Sequence, residues 1–169
     1  MSALTDSLIA ELENEAATTR RVLERIPEDR LSWAPHAKSM TLGKLAQHIA
    51  GIPGFSADVF DAPESQMPMA HPQAPSSRAE VLSLLDQSVA NAVAKLRKWG
   101  DAYLQEQCRV LAGDRVLIAG RRIELVRKVM LSHWYHHRGQ LTVYLRLLDV
   151  PVPSVYGPSA DEPVPATAG

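Results

Sequence analysis

The chain has few of the features that mark secreted, membrane-spanning or disulfide-stabilised proteins. It holds one cysteine, Cys108, so no disulfide can form within the chain. Since no partner lies near Cys108 in the sequence, we expect a small, partly buried side chain there rather than a nucleophile or a metal ligand. No apolar run approaches the roughly 18 residues of a membrane span. The N-terminus, residues 1–6, lacks the basic and apolar regions of a signal peptide. We therefore expect a cytoplasmic protein.

The chain also lacks an excess of charge of either sign. Its 18 basic and 19 acidic residues give a formal net charge of −1. Such a balance offers no general attraction to nucleic acid, because phosphate binding depends on clustered lysine and arginine. The two short basic pairs, Arg20-Arg21 and Arg121-Arg122, are predicted to lie on solvated helix faces. The 169 residues suit a single globular domain over residues 1–169.

What the sequence does contain is the 3.6-residue apolar period of amphipathic helices. Four segments carry it, and the predicted helices run from about Ala3 to Ile26, Thr41 to Asp61, Ser77 to Trp99 and Arg122 to Leu148. Thr41 is a good N-cap, and Ser77 to Glu80 form a Ser-x-x-Glu capping box. Pro53 and Gly54 lie inside the second helix, so we expect a kink or a break there.

The segments outside these helices are rich in proline or in turn residues. Residues 62–76 hold four prolines and predict a loop across the surface, long enough to permit a crossover connection. Gly113-Asp114, between β-favouring residues, predicts a short hairpin within residues 107–119. Residues from about 150 to 169 predict an extended tail that frays at its end. Together these elements predict an all-α four-helix bundle, with a short hairpin or irregular segment before the last helix.

Histidines occupy core positions on two of the predicted helices. The apolar stripe of the last helix consists of Ile123, Val126, Met130, His133, His137, Leu141, Tyr144 and Leu148. His133 and His137 are four residues apart, so both rings project from the same face. His48 occupies a stripe position on the second helix, between Leu45 and Ile52. The stripes therefore predict three inward-facing imidazoles from two helices.

Three such imidazoles predict a metal site, because bundles build metal sites from inward-pointing side chains on facing helices. Three nitrogen ligands leave a fourth position open for water or substrate, which is typical of catalytic zinc, although imidazole also suits nickel, copper and ferrous iron. The alternative is that these are hydrogen-bonded core histidines, kept neutral by burial. Of the other histidines, His136 is predicted at the edge of the face, and His36 and His71 in solvated loops.

The run His133 to Leu141 (HWYHHRGQL) and the later residues 152–162 (VPSVYGPSADE) resemble the DinB family, small proteins first noted as products of damage-inducible genes. Residues 41–50 (TLGKLAQHIA) are similar to the second-helix motif of that family, and the resemblance spans essentially the whole chain. It implies a four-helix bundle of up-down-down-up connectivity, frequently a homodimer. It also implies a three-histidine site for a divalent transition metal, often zinc or nickel, with His48, His133 and His137 as the ligands.

Three hypotheses for the function follow. The wider superfamily includes thiol-dependent S-transferases, a mycothiol-dependent isomerase and metal-dependent hydrolases. The first hypothesis is therefore an enzyme whose metal activates a low-molecular-weight thiol or a water for attack on a small molecule. The second is a non-enzymatic metal-binding stress-response protein with a closed fourth coordination position. The third, DNA binding, follows from the family name alone and is disfavoured by the charge balance.

Few residues near the predicted site offer further chemistry. No glutamate lies beside the histidine pair as in His-Glu-x-x-His, so the sequence presents no ready general base. Asp58 and Tyr144 are candidate lining residues, although we expect structural roles for both. Arg138 and Gln140 are expected to pack the helix or to hydrogen-bond to the metal ligands.

Overall fold

Three long helices and one composite helix make up most of the protein. The computed structural model describes residues 3–68 and 73–163. Helix α1 spans Ala3–Leu23, α2 spans Leu42–Val59 and α3 spans Arg78–Gln105, with a 3-10 turn at Glu28–Arg30 between the first two. The last consists of α4 (Arg122–Leu125), a π-helical segment (Val126–Ser132) and α5 (His133–Leu147). We call these three pieces together the C-terminal helix.

The four predicted helices are confirmed, and their ends show why they form. Thr41 caps α2, because its hydroxyl accepts a hydrogen bond from the backbone N–H of Lys44. Ser77 caps α3 in the same way through the N–H of Glu80, whose carboxylate accepts from the N–H of Ser76. The third helix continues past its predicted end at Trp99, although Gly100 (φ 63°, ψ 179°) interrupts its helical backbone.

A small three-stranded sheet makes the protein mostly helical rather than all-α. Strands β2 (Gln107–Ala112) and β3 (Arg115–Arg121) are antiparallel, so the predicted hairpin is confirmed, and Gly113 supplies the positive φ of its turn. Strand β1 (Glu64–Gln66) pairs in parallel with β2. The prediction of a loop throughout residues 62–76 is wrong there. Residues 64–66 carry no apolar alternation that would signal a strand, and β1 is identified by its backbone pairing with β2.

The core lies where the four helices meet. It is built from apolar side chains at most 1% exposed, among them Leu8, Leu12, Leu45, Ile49, Leu85, Leu96, Trp134 and Leu141. Among the described residues, no helix is long and apolar enough to cross a bilayer. Cys108 is buried, as predicted, and burial raises the pKa of its thiol.

Helix α2 is not broken at Pro53. Proline has no N–H, so the carbonyl of Ile49 loses the donor that a regular helix would give it. The indole Nε1 of Trp134, on the C-terminal helix, donates to that carbonyl at 2.8 Å. One residue further on, the N–H of Gly54 donates to Ser88 Oγ on α3 at 2.7 Å. Side chains from two neighbouring helices thus complete the irregular turn.

Arg122 contradicts the prediction of a solvated basic pair, because its side chain is fully buried. Its guanidinium donates to the carbonyl of Phe60 at 2.6 Å and to the carbonyl of Tyr103. Phe60 caps the C-terminus of α2, and Tyr103 lies in the last turn of α3. The C-terminal ends of helices carry partial negative charge, so two helix ends stabilise this buried cation. Because the partners of Arg122 are backbone carbonyls and not a carboxylate side chain, the sequence does not show that this arginine is buried.

The tail after the last helix lies along the helices without forming a helix or strand of its own. Residues 150–163, which we call the C-terminal strap, have no regular secondary structure. Glu162 of the strap forms ion pairs with Arg21 on α1 and with Arg25 just after that helix, and Asp161 pairs with Arg146 on α5. The strap therefore joins the first helix to the last. His71 and the predicted fraying of the tail's end both lie outside the described residues.

Candidate metal centre

The structure brings His48, His133 and His137 together between α2 and α5. One ring nitrogen from each lies within 4.8 Å of the other two. The centroid of the His48 ring lies 5.2 Å from that of His133 and 4.6 Å from that of His137. The centroids of His133 and His137 are 4.5 Å apart. All three side chains are partly exposed. The three residues predicted from the sequence thus form one cluster that solvent can reach.

The spacing of these nitrogens suits a small transition-metal ion. Nitrogens bound tetrahedrally to zinc at 2.0–2.1 Å lie about 3.4 Å from one another. The present separations run from 2.8 Å, between Nε2 of His133 and Nε2 of His137, to at most 4.8 Å. Small changes in side-chain torsion would bring the three atoms to the ideal spacing. The donor set, three imidazoles without a carboxylate or a thiolate, fits zinc or nickel.

Hydrogen bonds orient two of the rings. Nδ1 of His137 donates a hydrogen bond to Oε1 of Gln140 at 2.7 Å. The ring of His133 is hydrogen-bonded to the backbone of Val129, and this bond falls to Nδ1 because its Nε2 faces His137. Both Nε2 atoms then direct lone pairs at each other, an arrangement that a positive ion between them stabilises. Gln140 therefore hydrogen-bonds to a histidine of the cluster, as predicted.

Burial keeps the three imidazoles neutral at physiological pH. It lowers the pKa of His48 to about 4, with smaller effects from His137 and His133. Burial is also the largest cause of the lowered pKa values of His133 and His137. A metal ion must compete with protons for these nitrogens, so lowered pKa values favour metal binding.

The other candidate residues have structural partners. The hydroxyl of Tyr144 donates to the carbonyl of Met40 at 3.1 Å, and Asp58 accepts from Asn91 at 3.0 Å, so both have the structural roles expected of them. His136 is exposed beside His137, with ring centroids 4.9 Å apart, and is not part of the cluster of three. It is therefore a surface residue beside the cluster. His36 is exposed, also as predicted.

The buried face of α5 differs from the predicted stripe. Its buried side chains are Trp134, Arg138, Leu141 and Leu145. His133 and His137 lie beside this face rather than at its centre. The π-helical segment Val126–Ser132 accounts for the shift, because its wider turn changes the register of the residues that follow. An apolar stripe projected at a uniform 3.6 residues per turn misses this change.

Arg138 makes contacts that its place in the sequence does not reveal. Its side chain is 2% exposed and pairs with the Glu15 carboxylate on α1 at 2.6 Å. It also donates to Thr19 Oγ1 at 3.0 Å and to the hydroxyl of Tyr156 in the strap. Arg138 thus holds α5 against α1 instead of contacting the histidines directly.

Comparison with known proteins identifies the family. The sequence model of the DinB family matches residues 1–166. The chain belongs to the DinB family. A curated protein of Bacillus subtilis (strain 168), the uncharacterized protein YrdA, is 29% identical over 164 residues, which cover 93% of this chain and 90% of YrdA.

Crystal structures of DinB-like proteins share the fold. One, from Bacillus cereus ATCC 10987, has a TM-score of 0.72 and 21% identity, and covers 89% of this chain and 97% of its own. Another, YjoA of Bacillus subtilis, has a TM-score of 0.65 and 19% identity, with coverage of 89% and 99%. At these identities the likeness shows the DinB-like fold alone.

Proposed function

We propose that this DinB-family protein binds one divalent transition metal, zinc or nickel, on His48, His133 and His137 and uses it in catalysis on a small molecule. The supporting observation is the cluster itself, three imidazole nitrogens within 4.8 Å of one another on two helices. The lowered histidine pKa values keep the ring nitrogens free of protons, and the Gln140 hydrogen bond orients the ring of His137. The partial exposure of all three rings leaves an open side for a substrate.

The chemistry that such a metal supplies is a lowered pKa for a bound water or thiol. The residues of the chain hold the ligands and fix their tautomers, and the cluster contains no carboxylate to act as a general base. Thiol transfer needs a base less than hydrolysis does, because a thiol is far more acidic than water. We therefore favour a thiol-dependent S-transferase over a hydrolase, with a low-molecular-weight thiol as the second substrate.

Metal content and a cobalt spectrum test this proposal. Protein purified without an affinity tag should contain close to one equivalent of zinc or nickel. In the Co²⁺-substituted protein, glutathione, mycothiol or bacillithiol should change the visible spectrum as a sulfur atom joins the coordination sphere. A saturated site whose spectrum ignores every thiol and small anion would contradict the transferase proposal.

A non-enzymatic metal-binding stress-response protein is the second candidate. One observation favours it: neither of the two described cavities, about 410 Å³ between α1 and α3 and about 240 Å³ beside the strap, contains a histidine of the cluster. This candidate predicts a closed fourth coordination position and no response of the cobalt spectrum to thiols.

We further propose the up-down-down-up connectivity, the homodimer and the cytoplasmic location that were expected from the sequence. The family membership supports the first two. Light scattering on the metal-loaded protein tests the dimer, for which we expect twice the mass of the 18.5 kDa chain. A mass of one chain at all accessible concentrations would contradict it.

A further inference from the structure

The irregular turn of α2 lies next to one of the metal ligands. Pro53 leaves the carbonyl of Ile49 without a helical donor, and Ile49 directly follows His48. The group that replaces the missing donor is the indole of Trp134, which directly follows His133. The hydrogen bond therefore joins the residues next to two ligands on two different helices.

The hydrogen bond between Trp134 and Ile49 fixes the distance between α2 and α5 at this point. Trp134 and Ile49 are both 0% exposed, so water does not compete for either group. The indole has one N–H and the distance from Nε1 to the carbonyl oxygen is 2.8 Å, so the contact is directional. Apolar packing alone tolerates small sliding and rotation of one helix on another. A buried hydrogen bond from a rigid ring limits both motions.

The position of Trp134 on α5 strengthens the effect. It is the largest fully buried side chain of the protein's described part, and its neighbour four residues on, Arg138, is anchored to Glu15 on α1. The two anchored residues follow His133 and His137 in turn. Rotation of α5 about its axis would break both anchors before it moved the histidines far from His48.

From these contacts we infer that Trp134 is a positioning residue for the metal centre, and that Pro53 makes this role possible by freeing the carbonyl of Ile49. The inference rests on the proposed metal binding. Trp134 touches neither the metal nor a substrate in this scheme. Its hydrogen bond sets the distance between the backbones that carry His48 and His133, and so determines how well three nitrogens converge on one ion.

A pair of variants separates positioning from simple support of the fold. Trp134→Phe keeps an aromatic ring in the core but has no N–H, so the carbonyl of Ile49 is left unpaired. In the double variant Trp134→Phe/Pro53→Ala, the new N–H of residue 53 satisfies that carbonyl within α2. We expect the double variant to recover thermal stability lost by the single one. Neither variant retains the hydrogen bond between the two helices.

The readouts are the dissociation constant of Co²⁺ and the visible spectrum of the bound ion. Loss of a hydrogen-bond partner that orients a metal ligand typically weakens metal binding by 10–100-fold, and the lower end of this range suits a residue that acts through the backbone. We expect both variants to bind Co²⁺ at least about ten-fold more weakly than the wild type, with an altered spectrum. Trp99→Phe is the control, because it removes a partly buried indole bond of similar length, 2.7 Å to Asp61, away from the histidines. It should lower stability and leave Co²⁺ binding unchanged.

Each outcome decides between the proposals. If the wild type binds no stoichiometric Co²⁺, the proposed function fails and this inference fails with it. If the wild type binds Co²⁺ and Trp134→Phe binds it equally well, only the positioning role is overturned. Recovery of affinity together with stability in the double variant would overturn it too. Loss of cooperative unfolding in both variants would also overturn it, since the hydrogen bond would then be a requirement of the fold.

Discussion

At the scale of single residues, each histidine of the cluster precedes a buried residue. Ile49 and Trp134 are fully buried, and Arg138 is 2% exposed. Successive residues of a helix point about 100° apart, so a ligand beside a buried anchor lies at the edge of the core. This arrangement gives imidazoles that are buried enough to stay neutral and exposed enough for the proposed ion and substrate to reach them.

The ligand assignment predicts a sharp difference between histidines. Replacing His48, His133 or His137 by alanine leaves two imidazoles, so we expect each variant to lose stoichiometric Zn²⁺ or Co²⁺. His36→Ala is the control, because His36 is exposed and lies outside the cluster, and it should retain one equivalent. Metal analysis after gel filtration measures the difference. Full metal content in any of the first three would refute the assignment.

The pH dependence of metal-free stability depends on His48. Its folded pKa is about 4, against about 6.5 in an unfolded chain. Between pH 6.5 and pH 4, His48 is protonated in the unfolded chain but neutral in the folded one. The neutral imidazole of His48 therefore contributes fully to folding stability above pH 6.5, and this contribution is lost as the pH falls towards 4. Urea unfolding should show a smaller loss between pH 7.5 and pH 5 in His48→Asn than in the wild type. Equal losses in the two proteins would show that burial does not lower the pKa of His48.

The three histidines and Gln140 were predictable from the sequence, but the buried residues that hold their helices in place were not. Histidine at a stripe position is a strong anomaly, and an i,i+4 pair is recognisable without a structure. Gln140 could be expected three residues beyond His137. The roles of Trp134 and Arg138 depend on Pro53 in α2 and Glu15 in α1, partners that are far away in the sequence. Only the three-dimensional arrangement reveals such pairs.

At the scale of elements, the sequence pattern predicted helices better than strands. An amphipathic stripe of 20 residues contains many independent matches to the 3.6-residue period. Strand β1 has three residues, none of them apolar, and its identity depends on β2. The π-helical segment Val126–Ser132 was also missed. A π-helix differs from an α-helix in the spacing of its backbone hydrogen bonds, and the residue types of this segment do not reveal that difference.

Arg122 provides a test of how the elements are joined. Its guanidinium binds the C-terminal carbonyls of α2 and α3, so Arg122→Ala leaves a buried cavity and two carbonyls without these donors. We expect a loss of about 3 kcal/mol in the free energy of unfolding by urea. Arg121→Ala is the matched control, because that neighbour is exposed, and it should cost less than about 1 kcal/mol. Similar losses in the two variants would contradict the capping role.

At the scale of the whole molecule, the C-terminal strap connects the two ends of the chain. Arg21 donates to the carbonyl of Ser154 at 3.1 Å and pairs with Glu162, while the hydroxyl of Tyr156 donates to Glu15 at 2.9 Å. Tyr156 also accepts from Arg138. The strap thus completes the polar network that holds α5 on α1, on the side of α5 away from the histidine cluster. It supports the helix that carries His133 and His137 without reaching the histidine cluster itself.

Removal of the strap should therefore lower stability and spare the metal site. In a variant that ends at Val150, the ion pairs of Asp161 and Glu162 and the Tyr156 contacts are lost. These pairs are partly exposed and individually weak, but together we expect the unfolding temperature to fall by roughly 5 °C or more. Stoichiometric Co²⁺ binding should persist, because the Trp134 and Glu15–Arg138 anchors remain. A variant ending at Pro163 keeps the strap contacts named above and is the control. Loss of Co²⁺ binding at a temperature where the Val150 variant is still folded would show that the strap shapes the metal centre directly.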